Sequence, residues 1–94
     1  MSVVRTVHVR IEGRVQGVGY RAWVESTART MALTGWVRNR RDRSVEITLQ
    51  GPANQVDEML SLCKQGPPGA HVTKVEIRGE GLGAYDGFDV LPTT

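Results

Sequence analysis

The segment Gly13–Arg21, with sequence GRVQGVGYR, combines three glycines with two arginines, the second of which ends the segment. It lies between an alternating strand pattern and a helical pattern. Glycines let the backbone turn sharply and approach a ligand closely, and amide N–H groups at a helix N-terminus attract anions. The planar guanidinium of Arg21 can meet a phosphate with two parallel hydrogen bonds. We therefore predict a binding loop for a small phosphoryl-type anion, although the same residues would also suit a plain strand-to-helix turn.

The predicted anion cradle consists of loop amides, with the Arg21 side chain beside them. The backbone groups assigned to it belong to Val15, Gln16, Gly17, Val18, Gly19, Tyr20 and Arg21. Asn39, in the later segment GWVRN, is the second candidate catalytic residue. A carboxamide is no base at neutral pH, but it donates and accepts hydrogen bonds and can orient an attacking water. The alternative for Asn39 is an ordinary polar residue of a strand.

The residues near the loop limit the reaction that this site could manage. No paired carboxylates, histidine dyad or Walker-type lysine stand near it in sequence. Phosphoryl transfer passes through a loose transition state in which positioning and charge stabilisation supply most of the catalysis. An acyl phosphate expels a carboxylate, whose conjugate acid has a pKa of about 4, so no general acid or metal is needed. Hydrolysis of a carboxyl–phosphate bond is therefore the expected reaction, without a cofactor.

The two segments together resemble the motifs of the acylphosphatase family, G-x-V-Q-G-V-x-[FY]-R and G-W-V-x-N, in the same order and at the same separation. The segments LQGP at 49–52 and YDGFDV at 85–90 also fit, so the resemblance covers nearly the whole chain. It implies that Arg21 binds the phosphate and Asn39 positions the water. It also implies a ferredoxin-like fold. Arg43 departs from the pattern, because the family commonly has glycine in that turn.

Length and composition predict one small domain over residues 1–94. No apolar run approaches membrane-spanning length, and the N-terminus lacks the apolar stretch of a signal peptide. Cys63 is the only cysteine, which excludes an internal disulfide and favours a buried structural thiol. We expect a cytoplasmic monomer whose partners are a small acyl phosphate and inorganic phosphate, with no membrane association.

Charge is distributed unevenly along the chain, although the net charge is only +2. Residues 1–43 carry nine arginines against three acidic side chains, whereas residues 44–94 carry three basic side chains against seven acidic ones. The positive half contains both motifs. This asymmetry favours an anionic substrate that is steered toward the site, and chance asymmetry on a solvated surface is the alternative.

Hydrophobic periodicity predicts an α+β order of β-α-β-β-α-β with an extra terminal strand. The predicted strands are 3–12, 36–41, 44–50, 71–78 and 85–90, and the predicted helices are 21–33 and a second one that Pro52 opens and the loop 66–69 ends. In the strand 71–78, Thr73, Val75 and Ile77 are expected to share one face. The order is that of a ferredoxin-like sandwich, with two helices on one face of an antiparallel sheet.

Other functions have weaker support. His8, His71 and Cys63 lack ligand-like spacing, so no metal site is expected. The five aromatic residues include no RNA-recognition string, which makes nucleic-acid binding the lesser alternative. A non-catalytic module that senses an anion or an acyl phosphate is the other alternative, and a turnover assay would separate it from the enzyme. Trp36 is interpreted as a packing residue, and Trp23 has no assigned role. The arginine-rich run 38–43 is interpreted as a solvated hairpin tip, with guidance of the substrate as the alternative.

Overall fold

The computed structural model describes residues 3–81 and 83–94, which form two helices and five strands in the predicted order. The elements are β1 (Val4–Arg14), α1 (Tyr20–Thr30), β2 (Thr34–Asn39), β3 (Val45–Pro52), α2 (Ala53–Cys63), β4 (His71–Glu80) and β5 (Phe88–Val90). Both helices pack on the sheet, which confirms the predicted α+β ferredoxin-like sandwich.

The five strands lie in the order β4-β1-β3-β2-β5. Pairings β1–β3, β1–β4 and β2–β3 are antiparallel as predicted, whereas β5 joins β2 in parallel, so the sheet is mixed. The reason is chain direction: β5 runs opposite to β4, which gives it the direction of β2. The last strand is predicted over 85–90, but β5 begins only at Phe88 and lies at the opposite edge of the sheet from β4.

The hydrophobic core lies between the helices and one face of the sheet. Val7, Val9 and Ile11 of β1 are fully buried there, as their alternation predicts. Both helices turn an apolar stripe toward these strands. The fully buried members of the two stripes are Val24, Ala28, Val56, Met59 and Cys63. Removal of this apolar surface from water is the main force that holds both helices against the sheet.

The first helix is shorter at its C-terminus than the predicted 21–33, because the chain turns out of the helix at Ala32. Ala32 has a φ of 56°, in the left-handed region that ends many helices, and the N–H of Leu33 donates to the carbonyl oxygen of Ala28. Gly35 lies inside β2 rather than just past the helix end. A Cβ on Gly35 would stand 1.9 Å from the carbonyl oxygen of Thr48, so the neighbouring strand requires glycine there.

Strand β4 pairs with β1 through two register shifts, at His8/Val9 and at Glu12/Gly13. The second shift places Gly13 opposite Val72 and Glu12 opposite Lys74, which leaves Thr73 as an extra residue. Val72 and Val75 consequently pack against the core, while Thr73 and Ile77 are exposed. The predicted single phase is therefore confirmed for Val75 and Ile77, which lie opposite Ile11 and Val9, and is wrong for Thr73.

Candidate active site

A cleft with a volume of about 420 Å³ lies between the N-terminus of α1, the loop before it, and the ends of β2 and β5. Its lining consists of Val15, Gln16, Gly17, Gly19, Tyr20, Arg21, Ala22, Glu25, Asn39 and Val90. The cleft thus brings Arg21 and Asn39 together with all but one of the predicted loop residues. The exception is Val18, whose partly buried side chain packs against the core.

The loop owes its shape to two glycines. Gly17 and Gly19 have φ values of 74° and 78°, which side chains rarely tolerate. A Cβ on either residue would meet nothing within 4 Å, so the backbone conformation requires glycine and neighbouring atoms do not. Open space therefore remains above both residues, where a ligand could approach the backbone. Glycine is required at Gly13 for a different reason. A Cβ there would stand 2.1 Å from the carbonyl oxygen of His71 in the β1–β4 pairing.

Gly19 is also the N-cap of α1. The first hydrogen bond of this helix runs from the N–H of Trp23 to the carbonyl oxygen of Gly19 at 3.0 Å. The amides of Tyr20, Arg21 and Ala22 precede that bond and have no acceptor within the helix. No side chain within 3–81 or 83–94 caps the helix, and its first turn contains no acidic residue. These amides and the positive end of the helix dipole therefore offer an anion site.

The Arg21 side chain is available to that anion. No carboxylate pairs with it anywhere in the described ranges 3–81 and 83–94. The nearest acidic residue on the same helix face is Glu25, one turn further on, which pairs instead with Arg29 at 3.1 Å. Arg29 in turn donates to the carbonyl oxygen of Phe88 at 2.9 Å. This arrangement holds Glu25 toward β5 and leaves the Arg21 guanidinium to the cleft.

Asn39 ends β2 and is only 9% exposed. Its Oδ1 atom is buried and accepts no hydrogen bond from any residue that the structure describes. A buried acceptor without a partner costs free energy, so such a group usually serves a ligand or a water. An ordinary polar strand residue would expose this atom to solvent. Burial beside the anion cradle therefore favours a functional carboxamide over that alternative.

The side chain of Gln16 makes two hydrogen bonds that cannot be predicted from the sequence. Its Nε2 donates to the carbonyl oxygens of Arg40 at 2.8 Å and of Ser44 at 2.9 Å. These partners lie 24 and 28 residues away along the chain. Only tertiary structure brings them together, and a motif offers no signal for such a pairing.

Cys63 is the last residue of α2, lies outside the cleft lining and is fully buried. Burial raises the pKa of its thiol to about 12, so the nucleophilic thiolate is scarce at neutral pH. Burial likewise raises the pKa of Tyr20, whose hydroxyl is hydrogen bonded inside the protein. The predicted structural role of Cys63 is confirmed.

The open face of the sheet carries a separate charged network around Glu46. Arg38 Nε and Arg40 Nη1 both reach Glu46 Oε1, and His8 Nε2 donates to Oε2 at 2.6 Å. Burial alone would raise the pKa of Glu46, but hydrogen bonds from Arg38 and His8 outweigh it and hold that pKa below its usual range. The predicted solvated hairpin tip is thus wrong for Arg38 and Arg40, which are engaged in ion pairs.

The two tryptophans stay outside the cleft lining. Trp36 packs on the open face between His8, with ring centroids 5.6 Å apart, and the Arg38 guanidinium at 4.9 Å. Trp23 packs against the core with its ring 5.5 Å from that of Tyr20. Neither tryptophan is therefore placed to contact a bound phosphate.

The part of the chain that the structure describes contains neither a metal-ligand cluster nor a membrane-spanning helix. No cluster of three or more histidine, cysteine or acidic side chains there has a geometry that could hold a metal ion. Neither described helix has the length and apolar character needed to cross a bilayer.

The fold and the cleft define a small ferredoxin-like protein with a candidate anion-binding site. A family model for acylphosphatase matches residues 7–90. Curated acylphosphatases from Bradyrhizobium diazoefficiens and from Rhodopseudomonas palustris strain BisB5 are 50% and 53% identical. The matches cover 93% of this chain and 94% of the first relative, and 98% of this chain and 97% of the second.

Solved structures agree with these sequence matches. The crystal structure of acylphosphatase from Bacillus subtilis superimposes with a TM-score of 0.87 at 34% identity, over 95% of this chain and 99% of that one. The chain belongs to the acylphosphatase family and is an enzyme that hydrolyses acyl phosphates. The expected reaction is thereby confirmed.

Proposed function

We propose that this enzyme binds the phosphoryl group of an acyl phosphate in the loop of residues 15–21 and attacks it with a water that Asn39 orients. The observation that carries the proposal is the buried Oδ1 of Asn39, which lacks a protein partner among the described residues and lies in the same cleft as Arg21. A cleft that holds an anion cradle on one side and an unsatisfied acceptor on the other suits both reactants of a hydrolysis.

The cradle stabilises the charge of the transferring group. Its three non-bridging oxygens meet the free amides at the start of α1, the loop amides and the Arg21 guanidinium. These donors are fixed before the substrate binds, so little reorganisation is needed as the transition state forms. An arginine suits the task better than a lysine, because its planar fork can hold two oxygens at once.

Asn39 acts on the second reactant. Its Oδ1 accepts a hydrogen bond from the attacking water and thereby orients the water oxygen toward phosphorus. A new P–O bond forms as the bond between phosphorus and the acyl oxygen breaks. The electron pair leaves with the carboxylate, and the proton of the water passes to the phosphate product or to solvent. Asn39 removes no proton, since a carboxamide is no base at neutral pH.

Several further features belong to the same proposal. The carboxylate is a good leaving group, so the enzyme needs no metal ion and no general acid. Residues 1–94 form one domain that works as a cytoplasmic monomer. The substrate and inorganic phosphate are its small-molecule partners, with neither nucleic acid nor a membrane as a partner. The packing of Trp36 between His8 and Arg38 supports the exclusion of nucleic acid, because a ring held this way is not free to stack on a base.

The test compares three variants on benzoyl phosphate, with inorganic phosphate as a competitive inhibitor. We expect Arg21→Lys to lose phosphate affinity and turnover together, since it removes the fork from the cradle. We expect Asn39→Ala to lower kcat by about a hundredfold or more while the phosphate Ki stays within about twofold, because the water and not the cradle is affected. Arg41→Lys, at an exposed arginine outside the cleft lining, is the control and should behave as wild type.

Two outcomes would contradict the proposal. Binding of benzoyl phosphate without turnover by the wild-type protein would identify a sensing module instead. Loss of phosphate affinity in Asn39→Ala, with normal chemistry in a single turnover, would show that the two residues have been given each other's roles.

A further inference from the structure

The cradle and Asn39 belong to different parts of the fold, and their relative position must be fixed for the water to reach phosphorus. The cradle follows β1, and Asn39 ends β2 just before the turn of residues 40–44. Strand pairing between β1 and β3 runs from Val4 to Ile11, so it ends well before the loop. Backbone pairing within the sheet therefore does not hold the loop against the turn.

The Gln16 side chain makes this connection. Its Nε2 donates one hydrogen bond to the carbonyl oxygen of Arg40 and one to that of Ser44, at 2.8 and 2.9 Å. These two carbonyls belong to the residues that close the turn, where the N–H of Arg40 donates to the carbonyl oxygen of Ser44 at 2.8 Å. Among the described residues, these are the hydrogen bonds that join a side chain of the loop to the turn. We call this pair of bonds the Gln16 bridge.

The turn that the Gln16 bridge reaches is strained. Arg43 has a φ of 77°, a left-handed conformation that is strained for a residue with a Cβ. Such conformations persist where surrounding contacts over-determine them. Ser44 also donates from its N–H and its hydroxyl to Asp42 Oδ1, at 2.9 and 2.6 Å. The turn is thus held from inside by Asp42 and from the loop by Gln16.

We infer that the Gln16 side chain is a positioning residue, which fixes the Asn39 carboxamide relative to the anion cradle by tying the loop to the turn that follows Asn39. The inference rests on the proposed function of Asn39 and adds to it a requirement on the side chain of Gln16, whose backbone amide belongs to the cradle. Errors of about 1 Å in the placement of reacting groups can cost a hundredfold in rate.

The variant that tests the bridge is Gln16→Met, which keeps the length of the side chain and removes both donors. Each carbonyl keeps another hydrogen bond, because Arg43 N–H donates to Arg40 and Arg40 N–H donates to Ser44. The variant should therefore fold. We expect kcat on benzoyl phosphate to fall on the order of tenfold, whereas the phosphate Ki changes by less than about twofold, since the cradle amides remain. Gln16→Asn keeps the carboxamide on a side chain that is one methylene shorter, so its kcat should lie between those of wild type and Gln16→Met. It replaces Gln16→Met as the test if that variant is unstable.

A double-mutant cycle with Asn39→Ala distinguishes positioning from a general structural effect. If Gln16 acts through Asn39, its replacement should change kcat by less than about twofold once Asn39 is gone. The matched control is Gln50→Met. Gln50 also bridges separate segments, since its Nε2 donates to Thr6 Oγ1 and to the carbonyl oxygen of Gly83, but it lies outside the cleft. This control should lower the midpoint of unfolding and leave kcat unchanged.

Three results would overturn the inference. One is an unchanged kcat in folded Gln16→Met, and another is an equal fall in kcat in the presence and absence of Asn39. The third is a parallel loss of kcat and phosphate affinity, which would make Gln16 a part of the cradle only. A failure of the proposed function looks different, because wild-type turnover or the effect of Asn39→Ala alone would then be missing.

Discussion

The Tyr20 hydroxyl donates a hydrogen bond of 2.7 Å to the backbone carbonyl oxygen of Cys63. Tyr20 is the first residue of α1 and closes the loop, while Cys63 is the last residue of α2. The bond therefore satisfies one of the carbonyls that a helix leaves free at its C-terminus, and it anchors the end of the loop to the core. Gly66 makes room for this contact, because a Cβ there would stand 2.7 Å from Tyr20 Cε2.

Removal of that hydroxyl in Tyr20→Phe should destabilise the protein and spare the chemistry. The buried carbonyl of Cys63 loses its partner, which costs about 1–3 kcal/mol in the free energy of unfolding. The ring and the backbone amide remain, so kcat should stay within about twofold. Urea denaturation and a benzoyl phosphate assay on the same preparation test both expectations. A large fall in kcat without loss of stability would mean that the hydroxyl serves the cleft.

Cys63→Ala should also keep its activity and lose stability, because it leaves a small cavity where the thiol is fully buried. With its pKa raised to about 12, the native thiol should react with a thiol reagent far more slowly than the same protein in denaturant. The rate of modification under the two conditions is the measurement. Fast inactivation of the native enzyme, absent in the alanine variant, would contradict the burial of this thiol.

Arg43→Gly should raise the free energy of unfolding by less than about 1 kcal/mol and leave kcat unchanged. Glycine adopts the φ of 77° without strain, but its freedom in the unfolded chain offsets part of the gain. Ala32→Gly is the natural comparison, since Ala32 has a φ of 56° at the end of α1 and makes no charged contact. A net loss of stability in Arg43→Gly alone would show that the arginine side chain stabilises the turn enough to outweigh its backbone strain.

Addition of a chelator should leave kcat and KM unchanged. A carboxylate whose conjugate acid has a pKa of about 4 departs without a Lewis acid, so no step of the proposed mechanism needs a metal. The assay compares initial rates on benzoyl phosphate before and after dialysis against EDTA. Activity that disappears in EDTA and returns with Mg²⁺ would refute the metal-free mechanism.

Glu46→Gln should weaken the protein most at neutral pH. Because the folded-state pKa of Glu46 is depressed, its contribution to stability is present above the unfolded-state pKa of about 4.3 and is lost as the pH falls through the folded value. The difference in unfolding free energy between wild type and variant should therefore shrink as the pH is lowered below about 4.3.

Glu76→Gln is the control for that experiment. The pKa of Glu76 is also lowered, first by a hydrogen bond from Lys74, but its side chain is 33% exposed, against 16% for Glu46. Solvent screening should make its effect on stability much smaller. Equal effects of the two substitutions across the pH range would argue against a special role for the network around Glu46.

Local pattern predicts much of this fold because burial follows periodicity wherever pairing is regular. Val7, Val9 and Ile11 alternate along β1 and are all buried. The prediction fails at Thr73, where a register shift adds one residue and exchanges the faces of β4. It also fails to give the parallel pairing of β5 with β2, which places β5 at the opposite edge of the sheet from β4. Such features are set by contacts between distant segments, which a single sequence does not reveal.

The candidate site divides in the same way. The left-handed φ values of Gly17 and Gly19 are predictable because glycine has no Cβ. The arginine that follows these glycines is predictable as an anion ligand. Arg21 and Asn39 share one cleft. This proximity could be predicted only from the resemblance of the two motifs to a known family. The two carbonyl groups that accept hydrogen bonds from Gln16 could not be predicted from the sequence, because they lie 24 and 28 residues away along the chain.

The irregular pairing of β4 also bears on how copies of this chain behave toward one another. β4 is an outer strand, and a regular outer strand offers a row of free backbone groups to any other strand it meets in solution. Its two register shifts interrupt that row. A second strand that paired with β4 would also have to desolvate the charged side chains of Lys74, Glu76 and Arg78. The register shifts of β4 interrupt the alternating sequence pattern. They also protect the exposed edge of the sheet from edge-to-edge aggregation.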